Sequence, residues 1–178
     1  MEAEATAAQA REDLGIGLFG RLNPAWLLWQ LEIPVLTLSN LVTVDSDPGL
    51  ADAVRLLLTE QPSALSAATV FRGSRRLIVH NDAHAAERIA SNLSHEAAHA
   101  LLLHAPRPAI DESGCRDWQD EVEKEAAYLG GCLLIPGKAA RAASRKGWTD
   151  GQVADHYGVS EWMARYRMNV SGARRVRA

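Results

Sequence analysis

The chain has few cysteines and no long apolar run, and each shortage excludes a class of protein. Its 178 residues include two cysteines, Cys115 and Cys132, too few for a fold built on disulfides. The longest apolar stretches, such as residues 97–103, are far too short to span a bilayer. The Ala- and Glu-rich N-terminus has no basic region followed by an apolar run, so we expect no signal peptide. The composition therefore predicts a cytoplasmic protein with no membrane partner.

The chain is rich in apolar residues, and its charges are distributed unevenly. Apolar residues make up 47% of it, which is enough to build a core, and the length suits one domain with a small appendage. The net charge is −3, yet residues 138–178 carry nine Lys and Arg against three Asp and Glu. A basic end on an acidic body indicates either an anionic partner or a solvated tail, and the charges leave both open.

Strand signals are short and lie in the first half of the chain. Residues 33–38 are β-branched and apolar, and Pro34 near their start predicts a strand at or near a sheet edge. Residues 67–72 and 76–80 are β-prone runs separated by turn residues, which predicts a hairpin. A small sheet with helices packed on it, an α+β fold, is the expected architecture.

Helix signals cover most of the remaining sequence. The pattern over residues 85–104 contains no Gly or Pro, and Pro106 and Pro108 end it. Thr149 with Gln152 predicts a capping box, and Ser160 predicts a second N-cap, so the C-terminal end has a helix–turn–helix outline. The predicted helices are residues 24–31, 50–59, 85–104, 118–134, 149–156 and 160–169.

The residues with the clearest chemistry are His95, Glu96 and His99, in the pattern H-E-x-x-H. Positions i and i+4 of a helix share a face, so His95 and His99 can hold one ion. Glu96 is close enough to act on a water at that ion without binding the ion itself. Neutral imidazoles suit zinc, and a catalytic zinc keeps three protein ligands and an open position. The pattern predicts one zinc per chain, with Glu96 as the general base.

The third ligand is not settled by spacing. His104 lies five residues after His99 and, on a continuing helix, would point about 140° away, so it is read as a packing histidine near the site. Glu121 and Glu125 share a face of the second long helix, whereas Glu123 is rotated from both and is expected to meet solvent. An acid on the apolar face needs a partner, which a metal supplies, but Glu121 and Glu125 remain alternatives.

Three segments of the chain resemble the ImmA/IrrE family of metallopeptidases. Residues 76–104 resemble its strand, arginine and active-site helix, residues 125–136 its E-A-N-x-F-A…L-L-M-P helix, and residues 153–168 its helix–turn–helix-like end. The resemblance implies Glu125 as the third ligand beside His95 and His99. Ala127 departs from the usual Asn of that motif.

The resemblance also implies a division of the chain and a role. We expect a flexible leader over residues 1–19, a metallopeptidase domain over 20–137, in which the H-E-x-x-H helix crosses the glutamate-bearing helix, and a helix–turn–helix-like end with a basic tail over 138–178. The implied function is site-specific cleavage of a partner protein, an XRE-like transcriptional repressor. This cleavage would induce the genes that the repressor silences. The alternatives are a non-catalytic regulator that binds DNA or the repressor, and a toxin-like member of a two-gene module.

Several further residues have more than one possible role. Arg88 either binds substrate or is a surface arginine, and Tyr128 either stabilises an oxyanion or, as we favour, packs in the core. One hypothesis is that residues 76–80 form the sheet edge above the cleft, where an extended peptide could pair with them. The C-terminal helices either bind DNA or dock the substrate. Trp162, Met163 and Tyr166 form an apolar stripe that favours docking, whereas Arg165, Arg167, Arg174, Arg175 and Arg177 would serve phosphates.

Overall fold

A small mixed sheet contributes to two apolar clusters, through Ile78 in one and Val79 in the other. The computed structural model describes residues 2–44, 47–73, 75–105 and 120–177. Strand β1 (Val35–Thr37) runs parallel to β3 (Arg75–His80), and β2 (Ala67–Arg72) pairs with β3 antiparallel, in the order β1-β3-β2. The hairpin is as predicted. Residues 76–80, however, form the central strand, so the hypothesis that they form the edge is wrong. The edges are β1, as predicted, and β2.

Helices make up most of the described chain, and the α+β class is confirmed. Thr149 and Gln152 form the predicted capping box, and Ser160 caps the last α-helix through the Met163 N–H. The residues before Asp120 in the predicted helix 118–134 lie outside the described part. None of the described helices is both long and apolar enough to cross a membrane. The helices are α1 (Glu2–Asp13), α2 (Pro24–Gln30), α3 (Leu38–Val44), α4 (Pro48–Arg55) continued by a π turn (Leu56–Glu60), α5 (Ala86–Leu101), α6 (Asp120–Leu134), α7 (Gly137–Arg145), α8 (Asp150–Tyr157), α9 (Glu161–Val170) and a 3₁₀ turn (Ala173–Arg177).

The flexible leader expected at the N-terminus is instead helix α1, packed against α6. Ala7 and Ala10 are buried, and the Arg11 guanidinium donates to the Leu133 carbonyl at 2.7 Å. Alanines pack a helix closely without adding the large apolar side chains that sequence patterns reveal. Composition alone therefore hid a helix that belongs to the core.

The apolar core has two main parts. The first lies among α1, α2, α5, α6 and the sheet, and the second among α7, α8 and α9. The second begins at Leu134 and Ile135, the last residues around the C-terminus of α6, close to the expected division at 137/138. The division into domains stays a prediction. Arg167 of α9 donates to the Ile135 carbonyl and thereby ties the second part to the end of α6.

Candidate active site

Helix α5 presents both histidines of the H-E-x-x-H pattern on one side. The Nε2 atoms of His95 and His99 lie 3.0 Å apart, with ring centroids 4.6 Å apart. The opposite face of α5 is buried through Leu93, Ala97 and Ala98. The apolar residues of this helix therefore fix its rotation, and the two imidazoles are left facing the same space.

Helix α6 brings a carboxylate to the two imidazoles, and that carboxylate belongs to Glu123. Its Oε2 lies 3.1 Å from His95 Nε2, and its Oε1 lies 3.6 Å from His99 Nε2. Donor atoms of the three residues all lie within 4.8 Å of one another, and within the described part of the chain this is the group of three that could hold a metal ion.

The close approach of α6 to α5 depends on Gly130. A Cβ at Gly130 would lie 3.2 Å from the His95 backbone nitrogen and 3.2 Å from the Ser94 carbonyl oxygen, tighter than ordinary contact. Glu123 precedes Gly130 by seven residues, two turns less about 20°, and so lies on the same stripe of α6. The contact at Gly130 therefore aims Glu123 at the histidines.

Glu125, the third ligand implied by the family resemblance, is not at the pair. Its side chain is exposed, and its Oε2 lies 3.4 Å from His104 Nε2. Glu121 is exposed as well, whereas Glu123, which was expected to meet solvent, faces the histidines with its side chain 35% exposed. The sequence reasoning took the apolar stripe as the face of α6 toward the site, and in the structure the face toward the histidines carries Glu123. The small residues mark that face instead, and counting back seven from Gly130 would have found Glu123.

The donor set fits a divalent metal. Donors on one tetrahedral zinc at about 2.0–2.2 Å are roughly 3.3–3.5 Å apart, close to the spacings of His95, His99 and Glu123. Burial of His99, followed by the charge of His95, lowers the pKa of His99 from 6.5 to about 4. His99 is therefore neutral near pH 7, the form in which imidazole binds metals.

Glu96 lies in the same cleft, held by a strand that the motif did not indicate. Thr69 of β2 donates its hydroxyl proton to Glu96 Oε2 in a short hydrogen bond. This bond restrains the Glu96 carboxylate through Oε2, and Oε1 takes no part in it. The structure thus adds Thr69 to the residues around the predicted base.

His104 contacts the site from behind His99. Their Nδ1 atoms lie 2.9 Å apart, and the far nitrogen of His104 faces Glu125. If His99 offers Nε2 to a metal, its Nδ1 carries the proton and donates it to His104, which then donates through Nε2 to Glu125. Because α5 ends at Leu101, His104 turns back to His99 instead of pointing away from it, and in this arrangement it serves as an acceptor that orients His99.

Arg88 and Tyr128, for which the sequence left two roles possible, contact residues other than the three donors. Arg88 donates to the Ser66 hydroxyl at 2.8 Å, next to the start of β2. The Tyr128 ring lies under the Arg167 guanidinium, 5.2 Å from its carbon. Tyr128 does not line the cleft, which favours the packing interpretation.

The cleft over the three donors has a volume of about 740 Å³. Helix α5 and residues of α6 line its base, β2 lines one wall, and helix α9 lines another. Sequence patterns did not show that α9 reaches this cleft. The lining residues from α9 are Trp162, Met163 and Tyr166.

Comparison with known proteins identifies a family for this chain. Neither a curated protein nor a solved structure matches the chain. The sequence model of one family, Peptidase_M78, described as the IrrE N-terminal-like domain, matches residues 51–169 and so includes α5, α6 and α9. The match covers more than half of the chain and confirms the family resemblance: the chain belongs to the Peptidase_M78 family of peptidases.

Proposed function

We propose that this protein is a zinc-dependent endopeptidase in which His95, His99 and Glu123 hold the metal and Glu96 is the general base. The observation that carries the proposal is the convergence of two imidazole nitrogens and a carboxylate within 4.8 Å, in a cleft that also contains Glu96. A structural zinc is closed by four protein ligands and needs no base. Three donors beside a carboxylate that is not one of them therefore favour catalysis.

The chemistry follows from the roles of the side chains. Zinc held there would act as a Lewis acid on the scissile carbonyl and make water acidic enough to attack near neutral pH. Glu96 accepts a proton from the attacking water as the bond from oxygen to the carbonyl carbon forms. The same carboxyl group then returns the proton to the amide nitrogen as the C–N bond breaks. Thr69 holds Glu96 in place for both transfers.

The free edge of β2 supports an extended substrate. Ala67, Ala68 and Thr69 line the cleft, and β2 is an edge strand of the described sheet. A peptide can add to such an edge through backbone hydrogen bonds. We therefore propose that a peptide pairs with β2, the neighbour of the strand first considered for this role.

The substrate class rests on the family resemblance, which indicates a repressor of the XRE-like type. Contacts of the C-terminal helices support docking over DNA binding. Arg167 is fully buried, and Arg165 and Arg174 both pair with Asp150. Cations engaged in this way are less available to phosphates. The cleavage test below separates a non-catalytic regulator that binds DNA from this proposal. A toxin-like member of a two-gene module would share the same chemistry, and the gene neighbourhood separates it, because an adjacent repressor gene supports the proposal.

The first experiment measures zinc content by mass spectrometry in the wild type and in Glu123→Ala, with Glu125→Ala and Glu121→Ala as matched controls on the same helix. We expect about one zinc per chain in the wild type and in both controls, and loss of zinc from Glu123→Ala. Loss from Glu125→Ala alone would restore the ligand set implied by the family resemblance.

The second experiment measures cleavage by the zinc-loaded protein. A peptide mixture from a digested bacterial proteome and purified XRE-like repressors from the same genome are incubated with wild type and Glu96→Gln, and new termini are identified. We expect cuts by the wild type alone, with zinc retained in Glu96→Gln. Zinc binding without any cut would refute the peptidase proposal, and cuts confined to the peptide mixture would refute the choice of repressor.

A further inference from the structure

Two stacked aromatic rings of α9 face the cleft that contains the metal donors. The rings of Trp162 and Tyr166 are nearly parallel, with an interplanar angle of 4° and centroids 5.6 Å apart. Trp162 is 69% exposed although it is among the largest apolar side chains of the protein. Both rings line the same cleft as His95 and Glu96.

Tyr166 packs against the apolar core of the C-terminal helices, whereas Trp162 takes no part in that core. Helix α9 packs into that core through Met163, Ala164 and Met168, all buried. Trp162 and Tyr166 are one turn apart, on the side of α9 that faces the cleft. An exposed aromatic ring on a cleft wall contributes little to folding and offers a flat apolar surface to a ligand.

A pair of glycines in α6 places these rings close to the metal donors. Gly130 touches α5 at His95, and at the next residue, Gly131, a Cβ would lie 3.5 Å from Tyr166 Cε1. Neighbouring Cβ positions on a helix are about 5–6 Å apart, so Tyr166 lies at most about 12 Å from the His95 backbone. An extended peptide advances about 3.3 Å per residue, so this upper limit spans about three whole residues.

We propose that Trp162 and Tyr166 form a subsite that binds a bulky apolar side chain of the peptide substrate, within about three residues of the bond that is cut. The inference rests on the proposed function, because the peptide must lie in the cleft beside the metal. A Phe or Leu side chain stacks on the open face of Trp162, whereas an Ala side chain leaves that face in water. Since the ring is open to solvent, we expect a preference of about tenfold for Phe over Ala.

The test uses ligands that bind a metal without being cut. Three pairs of tetrapeptide hydroxamates carry Phe or Ala at the first, second or third residue from the hydroxamate. Calorimetry gives the Kd of each for zinc-loaded wild type, Trp162→Ala, Trp162→Phe and Trp29→Ala. Trp29 of α2 is 70% exposed and does not line the cleft, so Trp29→Ala controls for loss of an equally exposed ring.

The expected result is a preference of about tenfold for Phe at one position in wild type and Trp29→Ala. It falls to about twofold or less in Trp162→Ala and returns in Trp162→Phe. Equal binding of Phe and Ala ligands at all positions, or a preference unchanged in Trp162→Ala, overturns the subsite and leaves the metal site standing. If no hydroxamate binds wild type that carries zinc, the open metal position of the proposed function fails and the subsite fails with it.

Discussion

His104 shows how a single residue outside the donor set can control it. Its Nδ1 faces His99 Nδ1 at 2.9 Å and can accept the proton that leaves His99 Nε2 free for a metal. The residues behind metal-binding histidines usually fix both tautomer and ring orientation. His104 and Glu125 together can form such a support, which explains why Glu125 lies near the three donors without being one of them.

We expect His104→Ala to weaken zinc binding by about 10- to 100-fold, because His99 loses the acceptor that orients it. Zinc affinity is measured by competition with a chromogenic chelator. His84→Ala is the matched control, since His84 contacts the Pro62 carbonyl away from the donors. Equal affinity in wild type and His104→Ala would show that His99 needs no such support.

Thr69 acts on the base and not on the ion, so its removal is expected to separate catalysis from metal binding. We predict that Thr69→Val lowers kcat by about tenfold or more with unchanged zinc content, because Glu96 loses the hydroxyl that restrains it. Thr69→Ser retains the hydroxyl and is expected to restore most of the rate. A Thr69→Val protein with wild-type kcat argues against the positioning role.

At the scale of elements, the contact between α5 and α6 decides which glutamate reaches the histidines. Gly130 lets the backbones approach, and the backbone atoms it meets cannot rotate away as a flexible side chain can. Helix propensity favours Ala over Gly by about 1 kcal/mol, so the outcome of a substitution is a competition between propensity and packing.

We predict that packing wins at Gly130. Gly130→Ala places a Cβ 3.2 Å from the backbone at Ser94 and His95, and we expect the free energy of unfolding to fall by about 1–2 kcal/mol, with weaker zinc binding. Urea unfolding and chelator competition measure the two effects. Gly17→Ala is the control, because a Cβ there meets nothing within 4 Å. A stabilised Gly130→Ala with wild-type zinc affinity would show that the helices can separate at no cost.

At the scale of the whole molecule, Glu4 and Arg167 join the two ends of the chain. Glu4 of α1 accepts from Arg167 at 2.5 Å and from the Gly137 N–H at 2.9 Å. The Arg167 side chain is fully buried, so its charge depends on this partner. The ion pair links α1, the start of α7 and α9, and thereby holds the wall of the cleft that carries Trp162.

We expect Glu4→Ala to lower the free energy of unfolding by about 3 kcal/mol, because it leaves the buried Arg167 cation without its carboxylate. Thermal and urea unfolding measure the change. Glu2→Ala, at an exposed acid of the same helix, is expected to change stability by less than about 0.5 kcal/mol. Equal effects of the two substitutions would contradict a special role for the ion pair.

The same ion pair predicts a dependence of stability on pH. Burial raises the pKa of Glu4, but the Gly137 N–H and Arg167 outweigh it and hold the pKa below the ordinary value of 4.5. The folded state therefore binds this proton less readily than the unfolded state. Its contribution is fully present above pH 4.5 and is lost as the pH falls through the lowered folded pKa. Unfolding of Glu4→Gln measured over the same range should lack this component.

The sequence by itself determined the chemistry and the local structure of the site. The spacing of His95 and His99 places both on one face of any helix, and turn and cap residues such as Gly73, Thr149 and Ser160 act within a few residues. These features depend on local backbone geometry. They were therefore predictable without knowing where the helices pack.

Only the tertiary structure decided the partners of those residues. Choosing Glu123 over Glu125 required the rotation of α6 against α5, which is set by contact at Gly130. Assigning Thr69 and Trp162 to the cleft required knowing that β2 is an edge strand and that α9 returns to the metal donors. Such contacts join residues far apart in the chain, and their geometry depends on how whole elements pack, because a rotation of about 100° per residue redirects every side chain on a helix.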